Sequence, residues 1–404
     1  MTRIVVLGGC GGIGTVASRA LSAAGAEVVI ADLDERRASE LAAELGAESL
    51  TLDASSPESL STAMDGAEVV LNCVGPFYRF GPPVLAAAIA AQIDYVDVCD
   101  DLAPTRVMLA MDGSARDAGV TALVGMGNSP GIANVFVRLC ADQLLDMVET
   151  VDIMHVHGGE PEEGAGVLKH RIHAMVNPVP LFVDGDFLEV HQLGADGQAF
   201  VREFDFRDVG RMPVHPYPHP ETITLPRSFP GLCRATNLGV VFPLPYFERT
   251  QELVRVGACS DEPVTVDGAE VTPLDVSVAL LQRQRPDFLA AAGITGPAGC
   301  LAVEVSGRKD GAAHTYVFQL SSRAAGAGEG TGIPAAVGAL LMARGKVSGP
   351  GVVAPEQGVD PVDFLPLAFD LMARLGVSAG GDSGVIHLEH IGPDGSRDVI
   401  PLGV

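Results

Sequence analysis

The N-terminal segment constrains the fold more than any other part of this chain of 404 residues. An apolar run from Ile4 to Leu7 is typical of a buried strand, and it leads into Gly9, Gly11 and Gly14, spaced as Gly-x-Gly-x-x-Gly. A helical pattern follows. With a strand before it and a helix after it, this spacing predicts a dinucleotide-binding turn, in which free N–H groups of the helix N-terminus receive the pyrophosphate. A glycine-rich turn without a ligand is the alternative.

The cofactor type depends on Asp32, which ends the next apolar strand 18 residues after the last of these glycines. A carboxylate there accepts hydrogen bonds from the adenosine ribose and repels a 2′-phosphate, so the sequence favours NAD over NADP. Arg36 and Arg37 keep NADP open, since both can fold back onto a phosphate. Asp53 can instead cap a turn, and Ser129 a helix. The predicted cofactor-binding residues are Gly9, Gly11, Gly12, Ile13, Gly14, Asp32, Asp53, Asn72, Cys73, Val74, Gly75, Pro76 and Ser129.

The charge balance limits the partners. A formal net charge of −25 argues against nucleic acid and anionic membranes, since both are polyanions. No apolar run reaches the roughly 18 residues that span a bilayer, and no signal peptide is recognisable. The seven cysteines include no Cys-x-x-Cys pair, as expected for free thiols in a reducing compartment. We therefore expect a cytoplasmic protein that acts on a small molecule.

The order of element patterns predicts two kinds of domain. Strand and helix alternate to about residue 125, which predicts an α/β, doubly wound parallel sheet over residues 1–127. Short strands then predict a second α+β domain with a mixed or antiparallel sheet over residues 128–335. Residues 336–404 are expected to form helices that pack back on the first domain and to end in a hairpin. Four local predictions are specific: one helix from Pro104 to Ala118, a hairpin turn over 194–197, an ordered loop over 208–235 and a strand from Leu253 to Gly257.

Histidine catalysis must come from outside the predicted dinucleotide-binding domain, because all ten histidines lie beyond it and His155 is the first. One basic stretch contains Lys169, Arg171 and His173, and Arg171 is suited to hold a substrate carboxylate. On a helix, His170 and His173 would share a face, whereas on a strand Lys169, Arg171 and His173 would do so. A basic surface without a role is the alternative.

A proline-rich stretch and a strand end supply the other candidates. The prolines would hold His219, Glu221 and Arg227 stiffly in a cleft. The acidic run Asp97 to Asp101 would suit a cationic amine, and solvated loop carboxylates are the alternative. No metal is expected, because no ligand set is complete. The predicted catalytic residues are Lys169, His173, His219 and Glu221, and the predicted substrate-binding residues are Asp97, Arg171 and Arg227.

Eight motifs of the chain belong together: Val6 to Gly14, Asn72 to Phe77, Tyr95 to Asp97, Ala118 to Asn134, Gly158 to Pro161, His219 to Arg227, Thr331 to Ala336 and Gly351 to Glu356. Together they resemble the motifs of the saccharopine dehydrogenase-like oxidoreductases. The resemblance implies a Rossmann domain, a catalytic domain whose sheet often mediates homodimer formation, and hydride transfer between a nicotinamide and a carbon bonded to nitrogen. It includes no universal catalytic pair, and the C-terminal hairpin is not one of its features.

We therefore expect an NAD(P)-dependent oxidoreductase of the saccharopine reductase or lysine 6-dehydrogenase type. Its substrate would be an amine or an amino acid, and the bond it acts on a C–N bond. Two alternatives stay open. The same fold can carry a reductase of a C=C or C=O bond, and it can serve as a non-catalytic NAD sensor.

Overall fold

The computed structural model describes residues 2–322, 327–377 and 386–401. No helix in these ranges is both long and apolar enough to cross a bilayer. The strands are β1 Arg3–Leu7, β2 Glu27–Asp32, β3 Glu48–Thr51, β4 Val69–Asn72, β5 Asp94–Asp97, β6 Thr121–Leu123, β7 Met147–Gly158, β8 Pro178–Val183, β9 Asp186–His191, β10 Arg202–Phe206, β11 Gly210–Pro216, β12 Arg234–Phe242, β13 Val264–Val266, β14 Ala269–Val271, β15 Ala298–Lys309, β16 Ala312–Ser322, β17 Gly351–Val353, β18 Ile386–Ile391 and β19 Arg397–Ile400.

The helices lie between these strands, and a short π-helical turn, Cys140–Leu144, follows the seventh helix. They are α1 Gly12–Ala23, α2 Glu35–Leu45, α3 Pro57–Met64, α4 Phe77–Ala91, α5 Leu102–Leu109, α6 Asp112–Ala118, α7 Ile132–Leu139, α8 Ala165–Val176, α9 Ala195–Gln198, α10 Glu221–Ser228, α11 Leu244–Arg255, α12 Pro273–Ala291, α13 Ala327–Ala343, α14 Pro355–Gly358 and α15 Pro361–Arg374.

The first sheet is parallel, and its described strands follow the order β17–β6–β5–β4–β1–β2–β3. In β1 the side chains from Ile4 to Leu7 are all buried, as expected where helices cover both faces of a sheet. The chain runs outward from β1 on one side and then from β4 on the other. The carboxyl ends of these two strands therefore flank the crevice in which open α/β sheets bind ligands. The predicted doubly wound sheet is confirmed.

The second sheet is mixed, as predicted. Its central strand β7 pairs in parallel with β12 and in antiparallel with β15. The predicted C-terminal hairpin is confirmed as β18 and β19, and it extends this sheet through β16. Helices pack between the two sheets: Phe136 of α7 stacks on Phe318 of β16 at 4.5 Å, and α13 packs on α1 and against β4 and β5. One apolar core therefore continues from the first sheet to the second.

Two local predictions are wrong because prolines and apolar residues were assigned to the wrong element. Residues 208–235 contain β11 and α10, in which Pro220 is the N-cap of the helix. The stretch from Leu253 to Gly257 is the end of α11, which begins after Pro243 and carries Pro245 in its first turn. Proline here opens helices, and the short apolar stretch read as a strand is the last turn of a longer helix.

Two further predictions are wrong because of the surrounding topology. The segment 194–197 is not a hairpin turn, since β9 pairs with β8 and β10 with β11, and it starts the short helix α9. The single helix expected from Pro104 to Ala118 is two helices, α5 and α6, separated at Ala110 and Met111.

Candidate active site

Close backbone contacts shape the glycine turn between β1 and α1. Gly8 has a φ of +72°, in the left-handed region that favours glycine. A Cβ at Gly14 would lie 2.1 Å from the carbonyl oxygen of Gly8, so α1 can pack against the turn only with glycine there. Gly11 and Gly12 are exposed, and a Cβ at Gly12 would meet nothing within 4 Å. Gly11 caps α1 without a side-chain bond, so the first N–H groups of the helix point at an open surface.

A negatively and a positively charged side chain both contact the glycine turn near the end of β2. Asp32 accepts the N–H of Cys10 at 2.9 Å and the N–H of Asp34 at 3.1 Å, which ties it to the glycine turn. The guanidinium of Arg37 donates to the carbonyl oxygen of Cys10 at 2.6 Å. The position that sets the ribose or phosphate preference of a dinucleotide therefore has charges of both signs.

A buried polar chain braces the carboxyl ends of β4, β5 and β6. Asn72 donates to the Tyr95 hydroxyl at 3.0 Å, and this hydroxyl donates to Asp97 Oδ2 at 2.8 Å. Asp97 Oδ1 accepts the N–H groups of Cys99 and Gly125 at 3.0 and 2.7 Å. Burial raises the pKa of Asp97 to about 6, although these bonds lower it. Asp97 is fully buried and thus lies beneath the surface of the site.

The other predicted cofactor residues lie along the same edge of the sheet. The segment Cys73 to Pro76 follows β4 and passes from half-buried to exposed. Asp53 follows β3 and accepts both the N–H and the hydroxyl of Ser55, at 2.9 and 2.6 Å. It therefore caps a local turn through one carboxylate oxygen, Oδ1.

Ser129 is the centre of a hydrogen-bond network that joins the two sheets. Its hydroxyl donates to Glu221 Oε1 and accepts from Asn237 Nδ2 at 3.2 Å. His219 Nδ1 lies 3.5 Å from the Ser129 hydroxyl and 3.5 Å from Glu221 Oε2. His155 Nε2 lies 3.1 Å from Asn237 Oδ1. Ser129 is predicted to bind the cofactor, and His219 and Glu221 are predicted to be catalytic. With Asn237 and His155 they form one cluster, which we call the His219 network.

The strand pattern explains how the second sheet contributes to this network. On β7, Val151 and Ile153 belong to the core, and His155 and His157 continue the same face. Gly239 is the register partner of His155 on β12, and a Cβ at Gly239 would lie 2.2 Å from Cε1 of His155. The imidazole therefore occupies space that only glycine leaves.

Glu356 holds the helix that carries Glu221. Its buried carboxylate accepts Asn134 Nδ2 of α7 at 2.7 Å and the Ser228 hydroxyl of α10 at 3.1 Å. Burial raises the pKa of Glu356, although these bonds lower it. Since α7 begins just after Ser129, Glu356 fixes the two segments between which the bond from Ser129 to Glu221 forms.

The charges around His219 favour its protonated form. Burial lowers the pKa of His219, but the carboxylates of Glu221, Asp100 and Asp101 raise it more, so that it lies above its ordinary value. Burial and the neighbouring histidines hold the pKa of His155 well below its ordinary value. His219 is therefore suited to exchange a proton near neutral pH, whereas His155 stays neutral.

Asp100 and Asp101 form an acidic pair at the end of β5. A carboxylate oxygen of Asp100, a carboxylate oxygen of Asp101 and a ring nitrogen of His170 all lie within 4.8 Å of one another. Burial and the Asp100 carboxylate raise the pKa of Asp101, whereas His170, His173 and His219 lower it. Asp101 is the N-cap of α5, yet its side chain makes no capping bond, so the carboxylate can turn to a cation. The Tyr217 ring connects this pair to the network, with centroids 6.4 Å from His170 and 5.4 Å from His219.

The basic stretch lies on α8, and its members point in different directions. Arg171 is buried and pairs with Glu163, which Arg285 also contacts at 3.0 Å. Lys169 is exposed and pairs with Asp275 at 2.6 Å. His170 and His173 share the face turned to Asp101, so of the two arrangements considered for this stretch the helical one is observed.

The network also includes Asn237, His155 and Tyr217, although the sequence does not predict that they belong to it. Asn237 lies on β12, which no predicted element covers, and its partner Ser129 is 108 positions away. The sequence gives one indication for His155, since it is the first of the ten histidines, and all of them lie beyond the predicted dinucleotide-binding domain. Arg227 is exposed in the last turn of α10, and no hydrogen bond or ion pair among the described residues joins it to the network.

The donor set at this edge of the sheet fits a nicotinamide dinucleotide. The open N–H groups of α1 suit a pyrophosphate, and Asp32 and Arg37 lie where the adenosine ribose belongs. Asn128 Oδ1 is buried without a hydrogen-bond partner among the described residues, and it is suited to accept from a carboxamide. Asn128 lies next to Ser129, so the reactive end of the cofactor belongs beside the His219 network.

Comparisons with known proteins agree with this geometry. A sequence profile of the saccharopine dehydrogenase NADP-binding domain matches residues 4–123, so this part of the chain binds a nicotinamide cofactor. Carboxyaminopropylagmatine dehydrogenase of Synechocystis is 26% identical over 392 residues, which cover 90% of this chain and 94% of the relative. Carboxynorspermidine synthase of Vibrio alginolyticus is 28% identical over 324 residues, 74% of each chain.

The architecture also has a counterpart among solved structures. Saccharopine dehydrogenase (L-Glu forming) from Saccharomyces cerevisiae superposes with a TM-score of 0.67, over 98% of this chain and 100% of that chain. Its sequence identity of 17% makes this a likeness of fold alone. The profile match, the two relatives and the fold therefore agree with one another: the chain is similar to saccharopine dehydrogenase-like proteins in its sequence motifs and in its architecture.

Proposed function

We propose that this chain is an NAD(P)-dependent oxidoreductase that forms or oxidises the C–N bond between an amine and an amino-acid-derived carbon. The observation that carries the proposal is the placement of His219 beside the acidic pair Asp100 and Asp101, at the carboxyl edge of the dinucleotide-binding sheet. A carboxylate pair suits a cationic amine, and His219 is suited to exchange a proton with nitrogen. The two relatives, whose names contain carboxylated amines, support a substrate of this class.

In the reductive direction an amine and an aldehyde lose water to form an imine, which takes up a hydride at carbon and a proton at nitrogen. A bound nicotinamide supplies that hydride or, in the reverse direction, accepts it. The acidic pair binds the amine-bearing arm. Nδ1 of His219 faces Glu221, which leaves Nε2 for proton transfer. The roles predicted for Lys169, His173, Arg171, Arg227 and Asp97 stay predictions.

For the cofactor, we propose that both NAD and NADP bind. Asp32 supports NAD, whereas Arg37 beside it and the description of the matching domain as NADP-binding support NADP. The homodimer and the cytoplasmic location stay predictions, and the mass of the protein in solution tests the first.

The test combines the purified protein, each reduced nicotinamide, an aldehyde-bearing amino acid and a panel of diamines and polyamines. Nicotinamide oxidation is followed by absorbance, and the product is identified by mass spectrometry. We expect a secondary amine that forms only when both organic substrates are present, and omission of the amine is the control. Oxidation of the nicotinamide by an enoyl or carbonyl compound alone contradicts the proposal, as does tight binding without turnover of any substrate.

A further inference from the structure

We propose that Asn237 and His155 are positioning residues, which act through Ser129 and Glu221 to hold the proton on Nδ1 of His219. This inference rests on the proposed function for its kinetic consequence, but the arrangement of hydrogen bonds that it describes can be measured without turnover. No motif of the sequence contains Asn237, and neither residue is among the catalytic residues predicted above.

The chemistry of the groups fixes the direction of each hydrogen bond. An ionised carboxylate only accepts, so the Ser129 hydroxyl donates to Glu221. The hydroxyl oxygen then accepts from Asn237 Nδ2 at 3.2 Å, which turns Asn237 Oδ1 toward His155. The contact of 3.1 Å between Oδ1 and His155 Nε2 is a hydrogen bond only if Nε2 carries the proton. Every donor in the chain from His155 to Glu221 thus points toward the carboxylate.

This direction matters because Glu221 is completely buried, and a buried carboxylate stays ionised only when donors or cations face it. Ser129 supplies the donor at Oε1, and His219 lies at Oε2. If the donor chain fails, the carboxylate loses the hydrogen bond that fixes Oε1, and it no longer holds Oε2 against Nδ1 of His219. The negative charge that opposes the desolvation of His219 is then less well placed. The groups that face His219 are Glu221 on α10, Asp100 and Asp101 after β5, His155 and His157 on β7, and Tyr217 after β11.

The backbone does not need Asn237 or His155 for the sheet to form. Both lie in the parallel ladder of β12 and β7, in which main-chain bonds set the register of Asn237 with Ile153 and of Gly239 with His155. The absent side chain of Gly239 leaves room for the imidazole. A change at either side chain therefore alters the donor chain and leaves the ladder in place.

The experiment is a nitrogen-15 NMR pH titration of the histidine side chains of the full chain, with the His219 signal assigned from His219→Gln. We expect His155 to stay neutral with its proton on Nε2, and His219 to keep its proton on Nδ1. Asn237→Leu should lower the midpoint of His219 by up to about one pH unit, because the Ser129 hydroxyl loses the donor that turns it toward Glu221. In the reductive direction, the descending limb of the kcat profile should move by the same amount, with little change in KM for the amine.

Three further variants separate positioning from packing. His155→Gln keeps an N–H donor near the place of Nε2 and should keep a His219 midpoint close to wild type, whereas His155→Leu should lower it as Asn237→Leu does. Thr236→Val changes a polar residue on the opposite face of β12 and should leave the midpoint unchanged. Thermal unfolding shows which variants are folded.

The inference is overturned if His155 carries its proton on Nδ1, or if the Gln and Leu variants of His155 shift the midpoint equally. It is also overturned if Asn237→Leu and Thr236→Val have the same effect. Failure of the proposed reaction would look different, because it would remove the kcat profile and leave the NMR titration intact.

Discussion

The dinucleotide turn and the His219 network lie at the same edge of the first sheet but are built in opposite ways. The turn is formed by backbone within one short segment, and its shape depends on side chains that are missing at Gly8 and Gly14. The network is formed by side chains from separate elements, and Ser129 is 90 to 108 positions from its partners. A site of the first kind is broken by adding atoms, and a site of the second kind by removing a donor or a charge.

The largest effect is expected from adding one methyl group to the turn, in Gly14→Ala. The new Cβ would lie 2.1 Å from the Gly8 carbonyl oxygen, so α1 must move away from the turn. Overpacking of this kind costs about 1–3 kcal/mol, which predicts a loss of nicotinamide affinity of up to about 100-fold. Calorimetric titration with each reduced nicotinamide measures it. Gly113→Ala, at an exposed position of α6 where a Cβ meets nothing within 4 Å, is the control. Equal affinities of the two variants would refute the steric argument.

Removing one charge from the network, in Glu221→Gln, should have the next largest effect. Burial is the largest influence on the pKa of His219, and without the Glu221 charge only Asp100 and Asp101 oppose it, so the pKa should fall. Proton donation needs the protonated imidazole, so the reductive kcat should decrease by about 100-fold at neutral pH and recover partly as the pH is lowered. In the oxidative direction, where His219 accepts a proton, the rising limb should move to lower pH. The pH profiles in both directions measure this.

Glu248→Gln, the same chemical change at an exposed position of α11, is the matched control for Glu221→Gln. A uniform decrease in kcat without any displacement of the profile would show that Glu221 acts on structure alone.

The difference between the two regions also decides how much of each the sequence can predict. Asp32 and the glycines were found because turn, strand and helix follow one another within the chain, and local propensity and spacing are written there. The sequence places His219 and Glu221 in one proline-rich stretch, but nothing in it indicates that Ser129, 90 positions before His219, contacts them. Asn237 cannot be found in the same way, because no predicted element covers its position and because its role depends on Ser129, which is 108 positions away.

Weakening the acidic pair, in Asp101→Asn, should affect substrate binding more than chemistry. The pKa of Asp101 is raised by burial and by Asp100, so a bound cation relieves the repulsion between the two carboxylates. Removal of one charge should raise KM for the amine about tenfold, or about 1.4 kcal/mol, and change kcat less. Asp117→Asn, exposed on α6, makes the same change in net charge. If both variants raise KM equally, the effect is one of overall charge, and the pair is not the amine subsite.

The smallest effect is expected at the adenosine end, in Arg37→Ala. Arg37 is exposed, and it shares its position with the carboxylate of Asp32, which opposes a phosphate. An exposed charge pair contributes up to about 1 kcal/mol, so the variant should lose no more than about fivefold in affinity for NADP and almost nothing for NAD.

Arg36→Ala, one residue earlier and paired with Glu40 at 2.6 Å, is the control. The ratio of the two dissociation constants, measured at low and high salt, isolates the effect because salt screens the phosphate contact. A ratio that stays constant in Arg37→Ala would leave Asp32 as the side chain that decides between the cofactors, and it would favour NAD.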